Sequence, residues 1–160
     1  MASERTEGVT EAGPGFSCAP DPENPGWVRW KLADPTRYNE AVLGKMIART
    51  EGPNHCRVRI FPQHHLTNNA GNIHGAATLG LIDIALFCAM RLLRDVDAAG
   101  SVTLDIETKF IGPGNPAKPL DCVVEVLRET RRLAFLRGLV EQDEDLVSAF
   151  SGTIRKPSAR

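Results

Sequence analysis

"NNAGNIHGAATLGLIDIALFCAM", residues Asn68 to Met90, decides how the rest of the chain is read. From Gly75 onward almost every residue is apolar or small, yet Asp83 stands in the middle of the run. Removing a carboxylate from water is costly unless something satisfies it. One reading makes Asp83 structural, bonded to a neighbouring Arg, Thr or backbone donor at the edge of a core. The other makes it a base or nucleophile held in an apolar site. The run from Ala76 to Leu93 is also ~18 residues, at the short edge of a membrane span. With Asp83 central and Arg91 near its end, a helix buried inside a soluble domain is the expectation.

The residues that open the run carry chemistry of their own. "NIHGAA" puts Gly75 at the expected helix start, where the first N–H groups lack intrahelical partners and the dipole end is positive. A glycine there lets a carbonyl come close to the backbone, so its N–H can polarise that carbonyl and steady an oxyanion. The plainer reading is a glycine that serves only the turn. His74 reads first as a residue that bonds locally and shapes the turn, and second as a catalytic imidazole. Gly75 and Asp83 are eight residues apart, or ~12 Å along one helix. A carboxylate cannot act on a carbonyl held that far away. If both serve one substrate, they come from two chains, with their helices antiparallel across a two-fold axis and two equivalent sites per dimer.

Upstream, residues 1–25 are rich in Gly, Pro, Glu and Ser and are expected to be a flexible tail, with a single domain over 26–157. "GWVRWKLAD" offers Trp27 and Trp30 as packing anchors. "DPTRYNEAVLGKMIA" has helix-start chemistry at Asp34 to Thr36 and apolar residues at near-helical spacing, so a short amphipathic helix is predicted there. "HCRVRIF" alternates as a strand, and Pro62 ends it. Downstream, "SVTLDIETKFI" predicts a strand with Val102, Leu104, Ile106 and Phe110 on one side and Thr103, Asp105, Glu107 and Lys109 on the other. "LDCVVEVLRET" and "RRLAFLRGLVEQ" form a hairpin turning near residues 130–132, and "DLVSAFSGTIRK" returns after "QDED". The expected class is α+β, one long helix followed by an antiparallel meander.

Composition narrows the function. Lys plus Arg number 19 against 20 acidic residues, too little basic excess for a general nucleic-acid or membrane-surface binder. Cys18, Cys56, Cys88 and Cys122 show no paired spacing, which argues for free thiols in a reducing compartment. With no apolar segment of signal type near residue 1, a cytoplasmic location is the expectation. His55, His64 and His65 lack the companions of a metal motif, so no metal site is predicted.

At Asn68, His74, Gly75 and Asp83, followed by Thr103 and Asp105 in "SVTLDIETKFIGPG", the chain resembles the hotdog-fold acyl-CoA thioesterases of the phenylacetate-degradation (PaaI-like) type. The resemblance covers about Trp27 to Arg155. It departs at Ala76, where the family has a second glycine, and this leaves acyl preference open. It implies a long helix wrapped by an antiparallel sheet, in homodimers often paired into homotetramers, with sites at the subunit interface. By that likeness Asp83 activates a water or attacks the thioester, the Gly75 N–H polarises its carbonyl, and Asn68 helps place the thioester or the water. Thr103, from a strand facing the partner's helix, hydrogen-bonds near Asp83, and His74 supports the loop. Coenzyme A contacts fall on Phe110, Gly112, Pro113 and Gly114, and on Arg128, Arg131, Arg132 and Arg155, whose guanidinium groups suit phosphates. No cofactor is implied, CoA being part of the substrate. Two other functions compete. A non-catalytic acyl-CoA-binding module would need no carboxylate at Asp83. A hotdog hydratase or dehydratase would need a histidine–acid pair that His74, at the helix start, does not supply.

Overall fold

The computed structural model describes residues 15–157, and the apolar run folds as one helix, α1 (Gly75–Arg94). His74 caps it, its Nδ1 accepting the Ala76 N–H at 3.0 Å. Arg91 and Arg94 occupy the last turn, where cations meet the negative end of the dipole. Asp95 then leaves with a φ of 52° and pairs with Arg91 at 2.6 Å. By length and composition alone α1 is apolar enough to cross a membrane, but much of it is buried against the protein's own sheet.

That sheet has eight strands: β1 (Phe16–Pro20), β2 (Val28–Leu32), β3 (Met46–Thr50), β4 (His55–Ile60), β5 (Val102–Phe110), β6 (Leu120–Glu129), β7 (Leu133–Gln142) and β8 (Asp145–Arg155). Every pairing is antiparallel, in the order β1-β2-β3-β4-β6-β7-β8-β5. Alternation puts Cys56, Val58 and Ile60 of β4 and Leu120, Cys122 and Val124 of β6 on the inner face, all fully buried. Leu81, Ile82, Leu86 and Met90 of α1 fill the concavity. Each such side chain contributes about 1.5–3 kcal/mol by leaving water. Gly152 of β8 makes the closest seat, since a Cβ there would lie 2.9 Å from Leu86 Cδ1. The expected α+β architecture, a long helix wrapped by an antiparallel sheet, is the one observed.

Four local expectations are corrected. The segment predicted as a helix gives only a single π-turn at Asn39–Leu43. Gly44, at φ 72°, breaks it, and Met46 and Ile47 enter β3, where pairing with β2 and β4 outweighs helical spacing. Part of the expected tail is structured: Phe16–Pro20 pairs with Val28–Leu32, and Trp30 packs on Phe16 with ring centroids 4.2 Å apart. Residues 1–14 lie outside the described residues. In β5 the register shifts between Thr103 and Asp105, so Val102 and Leu104 point out at 39% and 53% exposure while Thr103 turns in. Finally, β5 does not continue the meander to β6. It pairs with β8 at the sheet's edge, leaving its other side open among the described residues.

Candidate active site

Ala76, Leu79, Gly80, Asp83, Phe87 and Arg91 form the stripe of α1 that the sheet leaves open, partly or fully exposed where the opposite face is buried. This stripe recurs every three to four residues, as one face of a helix must. Asp83 sits near its centre. Its Oδ1 accepts the Thr103 hydroxyl at 2.6 Å, a length typical of a charge-assisted bond. The β5 bulge beside Leu104 accompanies this inward turn of Thr103. The resemblance places Thr103 on a strand facing the partner's helix and bonding near Asp83; here the bond forms within one chain. No Lys or Arg pairs with Asp83 among the described residues.

At the head of α1, the Gly75 N–H has no partner among the described residues. The neighbouring backbone is fixed around it: His74 N–H donates to Leu66 O at 2.7 Å and Ile73 N–H to Gly114 O at 2.8 Å. The Phe110 ring lies over Gly75, where an added Cβ would come within 3.3 Å of it. Asn68 Oδ1 accepts from the Ala70 and Asn72 N–H groups at 2.9 and 3.2 Å, so its carbonyl end holds the loop and only its amide N–H groups remain free for a ligand. His74 uses Nδ1 on the helix cap. Each therefore has a loop-shaping bond, whatever else it does.

Two recesses stand out, and Asp83 lines one of them. One, of about 620 Å³, has Asp83, Ile84 and Phe87 on its α1 side and Phe16, Trp30 and Leu32 on the β1–β2 side. Its rim carries Asp34 and Arg37, paired at 3.4 Å. The Thr36 hydroxyl and N–H, bonded to Asp34, hold that carboxyl below the usual carboxylate range. The other recess, of about 550 Å³, is lined by Arg131, Arg132, Arg155 and Lys156 with Val96, Asp97 and Pro157. Lys156 is paired with Glu129, but Arg131, Arg132 and Arg155 meet no carboxylate among the described residues. Three free guanidinium groups around one cavity suit a phosphorylated ligand.

The expected contacts thus fall into separate groups within one chain. Phe110 lies at Gly75, whereas Arg131, Arg132 and Arg155 gather at the start of β5 and the end of β8. Of the residues that follow Phe110, Pro113 is exposed, whereas Gly112 packs against the Leu146 backbone and donates its N–H to Val147 O at 3.2 Å. Gly114 is buried against Ile73, so its part is to hold the loop rather than to touch a ligand. Arg128, beyond a shift in the β6–β7 register, does not join the basic recess. Sequence reasoning missed the aromatic recess. Phe87 follows Asp83 by one helical turn and was findable, whereas Phe16 and Trp30 arrive through strand pairing. No cluster of three or more His, Cys, Asp or Glu side chains able to hold a metal occurs among the described residues.

Comparison with known proteins matches this geometry to a family. The family model "Thioesterase superfamily" matches residues 70–149, which spans α1 and most of the strands after it. No curated protein sequence matches the chain. Among solved structures, a conserved protein from Pseudomonas aeruginosa is 26% identical, with 75% of this chain and 94% of that one covered and a TM-score of 0.65. The PaaI protein of the E. coli phenylacetic acid degradation operon is 15% identical, covering 78% and 87% at a TM-score of 0.65. A hypothetical thioesterase from Streptococcus pneumoniae, solved with coenzyme A, is 18% identical, covering 75% and 91%, also at 0.65. The chain belongs to the thioesterase superfamily, and its sheet-wrapped helix is the hotdog fold.

Proposed function

We propose that the protein hydrolyses the thioester of an acyl- or aryl-CoA to the free acid and CoA, working as a homodimer or a pair of dimers. The observation that carries this reading is Asp83 itself. It is a carboxylate on the open stripe of a buried helix, oriented by Thr103 and bordering an apolar recess. In the general-base form, Asp83 takes a proton from water as the oxygen adds to the carbonyl carbon. The oxyanion is met by the Gly75 N–H of the partner subunit, the C–S bond breaks, and CoA leaves as the thiolate. In the nucleophilic form, the Asp83 oxygen adds first and water hydrolyses the resulting anhydride. The free amide of Asn68 then serves the carbonyl or the water. The phosphates of CoA are assigned to Arg131, Arg132 and Arg155, a reading supported by their lack of carboxylate partners and by the CoA-bound relative. Four buried free thiols agree with a cytoplasmic setting.

The deciding experiment follows CoA release from acetyl, medium-chain, long-chain and phenylacetyl thioesters by wild type and Asp83→Asn. Wild-type turnover falling by at least a thousandfold in Asp83→Asn, with circular dichroism unchanged, is the expected result. Equal turnover by the two proteins would remove Asp83 from the mechanism. A wild type that binds acyl-CoA and hydrolyses none would make the protein a binding module.

A further inference from the structure

Resting on the thioesterase reading, we propose that the β1–β2 hairpin is the wall that receives and measures the apolar acyl group of the substrate. Once the thioester carbonyl is at Asp83, the acyl group must leave along one flank of α1. At 3.6 residues per turn, each residue advances about 100° around the axis. Leu79 and Gly75 therefore lie on one flank of Asp83, and Gly80, Ile84 and Phe87 on the other. The second flank opens into the recess of about 620 Å³, which is apolar from Asp83 to the hairpin. Phe16 and Trp30 pack there with their rings tilted 56° to each other, an aromatic wall, with Leu32 beside them opposite Phe16 in the strand register. The basic recess has the opposite character and suits the other end of the substrate. The hairpin also lies outside residues 70–149, the part of the chain matched by the family model. The charged rim of Asp34 and Arg37 bounds the recess and limits the length it accepts without exposing apolar carbon.

Two measurements test this. The first compares kcat/KM for the longest well-used acyl-CoA with that for acetyl-CoA, in wild type and in Leu32→Trp, which fills the recess. The ratio is expected to fall at least tenfold, and an unchanged ratio in a folded variant would overturn the assignment. The second needs no turnover and no mutation of the recess. In Trp27→Phe/Asp83→Asn, Trp30 is the remaining indole, and its fluorescence is titrated with CoA, butyryl-CoA, octanoyl-CoA and phenylacetyl-CoA. Quenching is expected with the acyl thioesters, with the dissociation constant tightening by up to about fourfold per methylene buried. Identical titrations with CoA alone and octanoyl-CoA would place the acyl group elsewhere. If wild type hydrolyses nothing, the catalytic proposal fails while this titration still decides where the acyl group binds.

Discussion

Replacing Thr103 with valine keeps a β-branched side chain in β5 and deletes the hydroxyl that orients Asp83. That hydroxyl donates to Asp83 Oδ1 at 2.6 Å. Hydrogen bonds to charged groups contribute about 1.5–3 kcal/mol. Both residues are only partly buried, so the lower end applies, about 1.5–2 kcal/mol. If this energy holds the carboxylate in its reactive orientation, kcat falls roughly 10- to 30-fold. KM should move little, because Thr103 touches the base and not the substrate. Thr103→Ser, which restores a donor, should recover most of the loss. The assay is continuous release of the CoA thiol at saturating substrate, with thermal unfolding measured alongside. A Thr103→Val enzyme within twofold of wild-type kcat would refute the orienting role. So would a loss that Thr103→Ser fails to rescue, because the branched shape alone would then be at fault.

Other expectations follow from the same geometry. Leu79→Glu puts a charge on the exposed 39% of a residue at the proposed helix–helix contact; sedimentation should show a folded monomer with turnover lost, and an active dimer would contradict the pairing. Gly152→Ala drives a Cβ to 2.9 Å from buried Leu86, and overpacking of this kind costs about 1–3 kcal/mol. The unfolding midpoint should drop by roughly 2–9 °C, and an unchanged midpoint would mean that the helix seat is looser than described. Burial, then Glu51 and Cys18, push the Cys56 thiol up to about 12, and burial raises Cys18, Cys88 and Cys122 as well. Thiolate reagents at pH 8 should therefore find no fast-reacting cysteine in the native protein and all four after denaturation; a fast native thiol would contradict the burial.

The helix was legible because the signal in residues 75–94 is local: apolar content over its whole length, a histidine and glycine at its head and arginines at its tail. The β6–β7 and β7–β8 connections were legible for the same reason, each lying between long alternating runs. Failures came where a distant partner decides the outcome. Met46 and Ile47 carry helical spacing from Tyr38 and Val42, but strands on both sides claim them. Phe16–Pro20 is too short and too close to Gly and Pro to announce itself, and only β2 makes it a strand. The β5 bulge inverts the face of Val102 and Leu104 without any local sign, since strict alternation there fits either phase. Asp83 was conspicuous as an acid in an apolar run. Its bond to Thr103 was legible only through family resemblance, and the aromatic recess beside it needed the sheet to close.

The eight residues between Gly75 and Asp83 make a further demand on any dimer. If two α1 helices run antiparallel and exchange these residues, the two-fold axis must pass level with their midpoint, Leu79. Leu79 is exposed, and its neighbour on the open stripe, Ala76, is small enough to let two helices approach closely, whereas Gly80 is covered by the Tyr38 side chain. The flank of Asp83 that carries Leu79 and Gly75 is therefore the one a second copy would cover. The open edge of β5, with Leu104, Phe110 and Ile111 exposed, offers unpaired backbone and apolar surface for the same union. Antiparallel pairing of two such edges would also bring the Phe110 end of one chain toward the Arg155 end of the other, because β5 begins opposite Arg155 and ends at Phe110. Two groups of expected CoA contacts that are separate in one chain become neighbours in two. The opposite flank, with Phe87 and the hairpin, stays free for the acyl group. One helix face can thus serve dimerisation, catalysis and acyl binding together, with Asp83 where the three meet.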